Sequence, residues 1–324
     1  MSASTTTRPM LVEAPARLHF GVLDLRGELG RRFGGIGAAI PVPSLLLEGA
    51  PAARFTIEGS GPDVDRARQF ARRFAAHYRI ELRARLTLRR TIPAHVGLGS
   101  GTQLALAVAR VLAELHGIDA DTTQLARAVD RGRRSGVGTW TFALGGFVLE
   151  GGRRADSDGV APLLARLPIP QPWRCVLVVP EGAPGLVGDE EARAFAELPP
   201  PCRGEVERVA HLVLMQLLPA LAEADLPGFG AALTEIQRIT GGWFSAAQGG
   251  VYAPGPSAEL IGALERGGAL GVGQSSWGPA VYGLTPDPAS AQILAARVRT
   301  ALGRTPGAVY ETGFSHTGAT ILPS

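Results

Sequence analysis

The fold is decided by Ile92-Pro-Ala-His-Val-Gly-Leu-Gly-Ser-Gly-Thr-Gln-Leu-Ala-Leu-Ala, residues 92–107. Upstream of it, Leu82, Ala84, Leu86 and Leu88 alternate with Arg83, Arg85, Thr87 and Arg89, the period-two pattern of a half-buried strand. Pro93 ends that strand. Gly97, Gly99 and Gly101 follow at every second position, and from Thr102 an apolar helical run extends to His116, where Gly117 is placed to stop it. A glycine-rich turn at a helix N-terminus offers an anion free backbone N–H groups, room, and the positive end of the helix dipole. Ser100 and Thr102 add hydroxyl donors. A tight strand-to-helix turn without a ligand has the same local pattern, so the neighbouring motifs decide its use.

The 324 residues carry 45% hydrophobic and 19% charged side chains, enough to bury a large core in one or two domains. A net charge of +3 and the lack of a basic tail argue against a general nucleic-acid binder. The sequence contains no lysine and no asparagine. That excludes a Schiff-base lysine and a lysine-type phosphate loop, and leaves arginine, backbone N–H and hydroxyls to hold any anion. Cys175 and Cys202 lack metal-ligand spacing and allow at most one disulfide. The polar start and the lack of a long apolar run lead us to expect a cytoplasmic protein with no membrane span.

Residues 11–25 read as a strand with a bend or hairpin, and Gly30 to Gly37 as a turn cluster or bulged hairpin. Helices are expected over 63–78, from the Asp121/Gln124 capping box to about Arg131, and over 205–224, 226–239, 257–267 and 289–302. Strands are expected over 147–150 and 173–179. Residues 181–204, rich in Gly, Pro and acid, read as an irregular loop. The Pro-rich stretch before Trp173 sets the expected boundary between an N-terminal phosphate-loop domain, residues 1–168, and a C-terminal α+β domain, residues 169–324.

Three glycine clusters in this order resemble the galactokinase, homoserine kinase, mevalonate kinase and phosphomevalonate kinase superfamily. Within it, the following motifs together resemble the beta-ribofuranosylaminobenzene 5'-phosphate synthase family: Arg17-Leu-His19-Phe-Gly21-x-x-Asp24, Gly30-Arg31-x-x-Gly34-Gly35-Ile-Gly37, Gly97-Leu-Gly-Ser-Gly-Thr-Gln103, Ser135-Gly-Val-Gly-Thr139 and Gly273-Gln-Ser-Ser-Trp-Gly-Pro279. The resemblance implies an α+β, two-domain small-molecule-kinase-like fold, with a ribosomal-protein-S5-like N-terminal domain and a ferredoxin-like C-terminal domain. It implies a pentosyltransferase that condenses phosphoribosyl diphosphate with 4-hydroxybenzoate or 4-aminobenzoate. Carbon dioxide and diphosphate are released, on the way to tetrahydromethanopterin-type one-carbon cofactors. A homodimer and no nucleic-acid or membrane partner are also expected.

The competing reading is an ATP-dependent small-molecule kinase. Several of those kinases carry Ser-Gly-x-Asp where this chain has Ser135-Gly136-Val137-Gly138, so the aspartate that activates a hydroxyl is missing. A decarboxylating condensation needs no strong base at the ring carbon, because the departing carboxylate does the work of a lost proton. Mg²⁺ is expected as the partner of the diphosphate. A third reading, a noncatalytic RNA-binding protein, rests on the basic edge Arg83, Arg85, Arg89 and Arg90, which lacks interleaved aromatics.

The expected diphosphate ligands are Gly97, Gly99, Ser100, Gly101, Thr102 and Gln103. Asp24 is the candidate for a metal or for the developing ribose charge, with a turn-forming role as its alternative. Glu150 and Glu311 are weaker metal candidates. Arg31 is a candidate for phosphate or carboxylate. Arg17, set between apolar neighbours, needs an anionic partner if buried. His19 shares its face of the strand and is as much a structural as a catalytic candidate. Ser135 and Thr139 are expected beside the phosphoribosyl group, and Gln274, Ser275, Ser276 and Trp277 are expected to close the site from the second domain, with Trp277 a candidate to stack on the benzoate.

Overall fold

The alternation at Ala84, Leu86 and Leu88 buries one face of a strand in the core of the N-terminal half. The computed structural model describes residues 8–181, 185, 188–303 and 305–323. In chain order the N-terminal half runs β1 (Met10–Asp24), β2 (Arg31–Pro51), β3 (Thr56–Glu58), α1 (Asp63–Tyr78), β4 (Ala84–Arg90), α2 (Ser100–His116), α3 (Thr122–Ala128), α4 (Val137–Leu144), β5 (Phe147–Glu150), β6 (Arg153–Arg154) and β7 (Leu163–Leu167). It continues with β8 (Arg174–Pro180), α5 (Gly188–Glu197), α6 (Arg203–Leu212), a π-helical turn over Val213–Leu217, α7 (Leu218–Ala222), α8 (Leu226–Gln248) and α9 (Ser257–Arg266). The chain closes with β9 (Val272–Gln274), β10 (Val281–Thr285), α10 (Pro288–Leu302), β11 (Gly307–Thr312) and β12 (Thr320–Pro323).

One sheet has the order β12-β1-β2-β4-β3, with β5 and β6 branching from the long β2 and β7 pairing with β5. The other is antiparallel, in the order β11-β8-β10-β9. β12 returns from the end of the chain to pair with β1, Met10 opposite Pro323. α2 lies on the first sheet, apolar around most of its circumference. Gly49 on β2 lets it approach: a Cβ there would sit 2.1 Å from the Val111 side chain. Phe20 of β1 joins the two halves, its ring 6.3 Å from Phe147, 6.5 Å from Phe229 and 5.3 Å from Tyr282.

Several expectations needed correction. α2 starts at Ser100, two residues early, because Gly99 takes the left-handed conformation that lets it cap. Residues 11–25 form no hairpin. They are one strand whose register with β2 shifts between Pro15 and Ala16 and between His19 and Gly21. The Gly30–Gly37 cluster opens the 21-residue β2, disguised in the sequence by Pro41 and Pro43. Of 181–204, residues 188–197 are the amphipathic helix α5, while 182–184 and 186–187 lie outside the described residues. The helix expected over 205–224 is interrupted by the π turn, and α8 runs to Gln248 straight through Gly241 and Gly242. α4, absent from the sequence reading, begins inside the Ser135–Thr139 motif. The Asp121–Gln124 capping box is present.

Phe20→Ala removes the ring that both halves share. It should cost about 3–5 kcal/mol, and urea unfolding should stay a single transition at a lower midpoint. Two separate transitions in the wild type would show instead that the halves fold independently.

A basic and aromatic cleft as the candidate functional site

The phosphate-type loop is held by a strand on one side and by the second domain on the other. Arg17 on β1 donates from its backbone N–H to the Leu98 carbonyl at 3.1 Å and from its guanidinium to the Gly97 carbonyl at 2.5 Å. The Ser275 hydroxyl donates to the same Gly97 carbonyl at 2.7 Å and accepts from the His19 N–H at 2.9 Å. Gly97 (φ +88°) leaves no room for a side chain, since a Cβ would lie 2.0 Å from the Ser275 carbonyl oxygen. Ala280 N–H closes the contact onto the Val96 carbonyl at 3.1 Å.

At the start of α2 the backbone N–H groups meet further positive charge. A Cβ on Gly101 would sit 2.6 Å from Arg66 Nη2 and 3.6 Å from Arg131 Nη2. Arg66 is held by Asp63 at 2.6 Å, and Arg131 lies over Phe70, 4.8 Å from the ring centroid. Three guanidiniums, those of Arg17, Arg66 and Arg131, therefore surround the positive end of a 17-residue helix. Like charges and a like dipole repel, and an anion there relieves all of them together.

Beside the loop opens a cleft of about 660 Å³. Arg17, Arg73, Arg131, Arg133 and Arg134 line it, and among the described residues Asp130 is its one acidic wall residue. Asp130 pairs with Arg133 and, at 3.8 Å, with Arg73. Phe33, Phe195, Phe244 and Trp277 supply an aromatic wall. Trp277 packs edge-on against Phe244 and Phe195 with centroids 4.8 and 5.4 Å away, and the Arg134 guanidinium lies 5.6 Å from the Phe195 ring. The cleft thus presents guanidinium groups and aromatic rings together.

His19 and Ser135 also line it, with the His19 Nε2 3.2 Å from Ser135 Oγ. Behind them Glu150 is fully buried. Its carboxylate accepts from the N–H groups of Gly136 at 3.1 Å and Gly152 at 2.8 Å, and from the Ser135 hydroxyl. Burial pushes Glu150 up to about 7 against those three donors. Burial, then Arg17, pushes His19 down to about 3. At neutral pH His19 is therefore an uncharged imidazole.

The remaining candidates divide. Thr102, Gln274, Ser276 and Trp277 line the cleft with Arg17, His19 and Ser135. Ser275 acts as the brace described above. Gln274 is tied by Ala253 N–H at 2.6 Å and by its own amide to the Ser276 carbonyl at 3.0 Å. Gln103 points inward and donates to the Gly138 carbonyl at 3.0 Å, and Thr139 is buried. Asp24 takes the turn-forming role: its Oδ1 accepts from Arg26 N–H at 2.6 Å and Gly27 N–H at 2.9 Å. Arg31 donates to the Gly152 carbonyl at 3.1 Å and lines a separate shallow depression. Glu311 pairs with Arg299 at 2.9 Å. Among the described residues no three His, Cys, Asp or Glu side chains cluster to hold a metal. The basic edge is largely neutralised, with Arg83 on Glu81, Arg89 on Glu48 and Arg90 on Glu13. Both cysteines are free, and no described helix is long and apolar enough to cross a membrane.

Sequence reading missed Arg73, Asp130, Arg131, Arg133 and Arg134, and of the aromatic wall it named Trp277 but not Phe33, Phe195 or Phe244. The run Asp130-Arg-Gly-Arg-Arg134 directly before Ser135 was the available signal. Nothing in the order of residues linked it to Phe195 or Phe244, which come from α5 and α8.

Comparison with known proteins fits this geometry. Residues 65–146 match the GHMP kinases N terminal domain and residues 217–304 the GHMP kinases C terminal. The chain is 34% identical to the beta-ribofuranosylphenol 5'-phosphate synthase of Methanothermobacter thermautotrophicus, over 97% of this chain and 98% of that one. It is 35% identical to the protein of the same name from Archaeoglobus fulgidus, over 85% and 87%. Among solved structures, Streptococcus pneumoniae phosphomevalonate kinase superposes with a TM-score of 0.70 at 12% identity, covering 95% of this chain and all of that one. A homoserine kinase from Cytophaga hutchinsonii gives 0.69 at 17%, covering 99% and 100%. At those identities the two kinases establish the fold: an N-terminal ribosomal-protein-S5-like and a C-terminal ferredoxin-like α+β domain.

Two measurements test the loop and its floor. Ser275→Ala strands the His19 N–H and weakens the brace on Gly97, a loss of about 1–3 kcal/mol in stability. Gly97→Ala should cost more, since it adds a backbone clash to an unfavourable φ. If the two variants unfold at the wild-type midpoint, the brace is not structural. The second measurement is pH dependence. His19, lowered from 6.5 to about 3, contributes stability that is lost as pH falls below its ordinary value. Glu150, raised from 4.5 to about 7, contributes stability that is present below 4.5 and lost as pH rises through about 7. Glu150→Gln should therefore flatten the alkaline decline in the denaturation midpoint between about pH 5 and 8; an unchanged decline would assign it to another group.

Proposed function

The chain belongs to the beta-ribofuranosylphenol 5'-phosphate synthase family, and on that footing we propose that it joins the ribose of phosphoribosyl diphosphate to the ring of 4-hydroxybenzoate, releasing carbon dioxide and diphosphate. The observation that carries the reading is a cleft lined together by five arginines and four aromatic rings. A phosphoribosyl donor has phosphate groups at both ends, and a benzoate has a flat apolar ring with one carboxylate. The phenol in the relatives' names favours the hydroxy acid over the amino acid.

Ionisation of the C1–diphosphate bond leaves cationic character on the ribose and extra negative charge on the departing diphosphate. Arginines and the α2 N-terminus already in place stabilise that charge without reorganising. The aromatic wall holds the acceptor ring near the cation and keeps out the water that would trap it. Mg²⁺ belongs to this reading as part of the diphosphate substrate rather than as a resident ion. The described residues offer no carboxylate cluster for it, and Asp24 has Oδ1 engaged by two backbone N–H groups. The product is a C-riboside suited to a methanopterin-type one-carbon cofactor, made in the cytoplasm.

A phosphoryl-transfer enzyme of the same fold is the less supported reading. A Cβ on Gly138 would already lie 3.1 Å from Thr102 Cγ2, so an aspartate base has little room there.

The test is release of labelled carbon dioxide from carboxyl-labelled 4-hydroxybenzoate, dependent on phosphoribosyl diphosphate and Mg²⁺. Phosphorylation of a small molecule from ATP, with no carbon dioxide, would overturn the reading. Arg134→Met keeps the packing on Phe195 but removes one charge. It should raise the KM for phosphoribosyl diphosphate by about 10- to 100-fold while leaving that for the benzoate much less changed.

A further inference from the structure

Glu150, Ser135 and His19 form a buried line of polar groups that ends at the cleft, and charge stabilisation of the diphosphate uses none of them. The hydrogen positions along the line follow from counting. An ionised Glu150 only accepts, so the single Ser135 hydroxyl proton goes to it. Ser135 Oγ then has two lone pairs, and two donors face it: Val137 N–H at 3.2 Å and the His19 Nε2 at 3.2 Å. His19 must therefore carry its proton on Nε2, which leaves Nδ1 as the acceptor of a neutral ring. The line is packed without slack. Gly35 lies against it, and a Cβ there would be 3.2 Å from Glu150 Oε1 and 3.3 Å from His19 Nε2. Burial, and after it Arg17 on the same strand, keep the ring from charging. A structural carboxylate needs none of this. Its backbone N–H partners at Gly136 and Gly152 would satisfy it without a serine and a histidine leading to a cleft.

We propose that His19 is the catalytic acceptor of the substrate hydroxyl proton, and that Ser135 and Glu150 relay that proton inward and return it. The inference rests on the condensation proposed above. As ring carbon 1 bonds to ribose C1, the bond from ribose C1 to diphosphate breaks. The hydroxyl oxygen then supplies electrons to the ring as its O–H bond breaks. That proton goes to His19 Nδ1, the Nε2 proton passes to Ser135 Oγ, and the Ser135 proton passes to Glu150. The bond from ring carbon 1 to the carboxylate then breaks, carbon dioxide leaves, and its electron pair restores the aromatic ring. The proton runs back along the same line to the phenolate oxygen, so the relay ends as it began. A weak base suffices, because the hydroxyl becomes strongly acidic once the ring has been attacked.

The relay also explains a choice between acids. An amino group carries the positive charge of the attacked ring as an iminium ion without giving up a proton, and a hydroxyl does so far less well. The relay therefore serves 4-hydroxybenzoate and is dispensable for 4-aminobenzoate.

The experiment measures carbon dioxide release from both acids by wild type, Ser135→Ala and Glu150→Gln. Comparing two acids on one preparation cancels any change in the folded fraction. Each variant should lose about 100-fold more activity on the hydroxy acid than on the amino acid. Equal losses on the two acids overturn the relay while leaving the condensation standing. No release by the wild type from either acid overturns the condensation itself. If the wild type uses only the hydroxy acid, the Ser135→Ala deficit is followed with pH. It should shrink as solvent ionises the phenol, whose unperturbed pKa is about 10, and a deficit constant with pH overturns the relay.

Discussion

The Ser275 hydroxyl holds the molecule's working parts in register. It accepts a hydrogen bond from the backbone N–H of His19 on β1 and donates one to the Gly97 carbonyl of the loop, from a position in the second domain. Three segments far apart in sequence meet at one oxygen, with the Arg17 guanidinium on the same Gly97 carbonyl. Because Gly97 has no Cβ, the Ser275 backbone approaches closely enough to do this. The glycines of the loop therefore serve two ends. They free backbone N–H groups for an anion, and they let the other domain close over the loop.

A chain without lysine concentrates its anion chemistry in arginine, and the geometry follows. Guanidiniums are wide, planar and always charged, so they need side support to be aimed. Asp63 supports Arg66, Phe70 supports Arg131, Asp130 supports Arg73 and Arg133, and Phe195 lies under Arg134. Of these four supports, Asp63 and Asp130 are anionic and Phe70 and Phe195 are aromatic. The aromatic supports double as the apolar wall, and for that reason the two sides of the cleft share residues rather than dividing cleanly.

Much of this was legible beforehand. The alternation over Ala84–Leu88, the apolar helix, apart from its start two residues early at Ser100, and the Asp121 capping box all depend on neighbours within a few residues, and they are present. The 21-residue β2 did not, because Pro41 and Pro43 look like strand breakers until the strand's register shows where it tolerates them. The flanks of α5 are rich in Gly and Pro and read as loop, although Ala194, Phe195 and Leu198 keep helical spacing.

By itself, the sequence determined the family, the two α+β domains, the loop at the head of α2 and the arginine-only chemistry. These follow from local pattern and from residue type. The tertiary structure alone decided which charges meet. It turned Asp24 into a turn, set Arg31 apart from the cleft, brought Arg66 and Arg73 of α1 together with Arg131 from beyond α3, and buried Glu150 behind Ser135 and His19. The reason is physical. A side chain's protonation and partner depend on what lies within a few ångströms in space, and those neighbours come from distant parts of the chain.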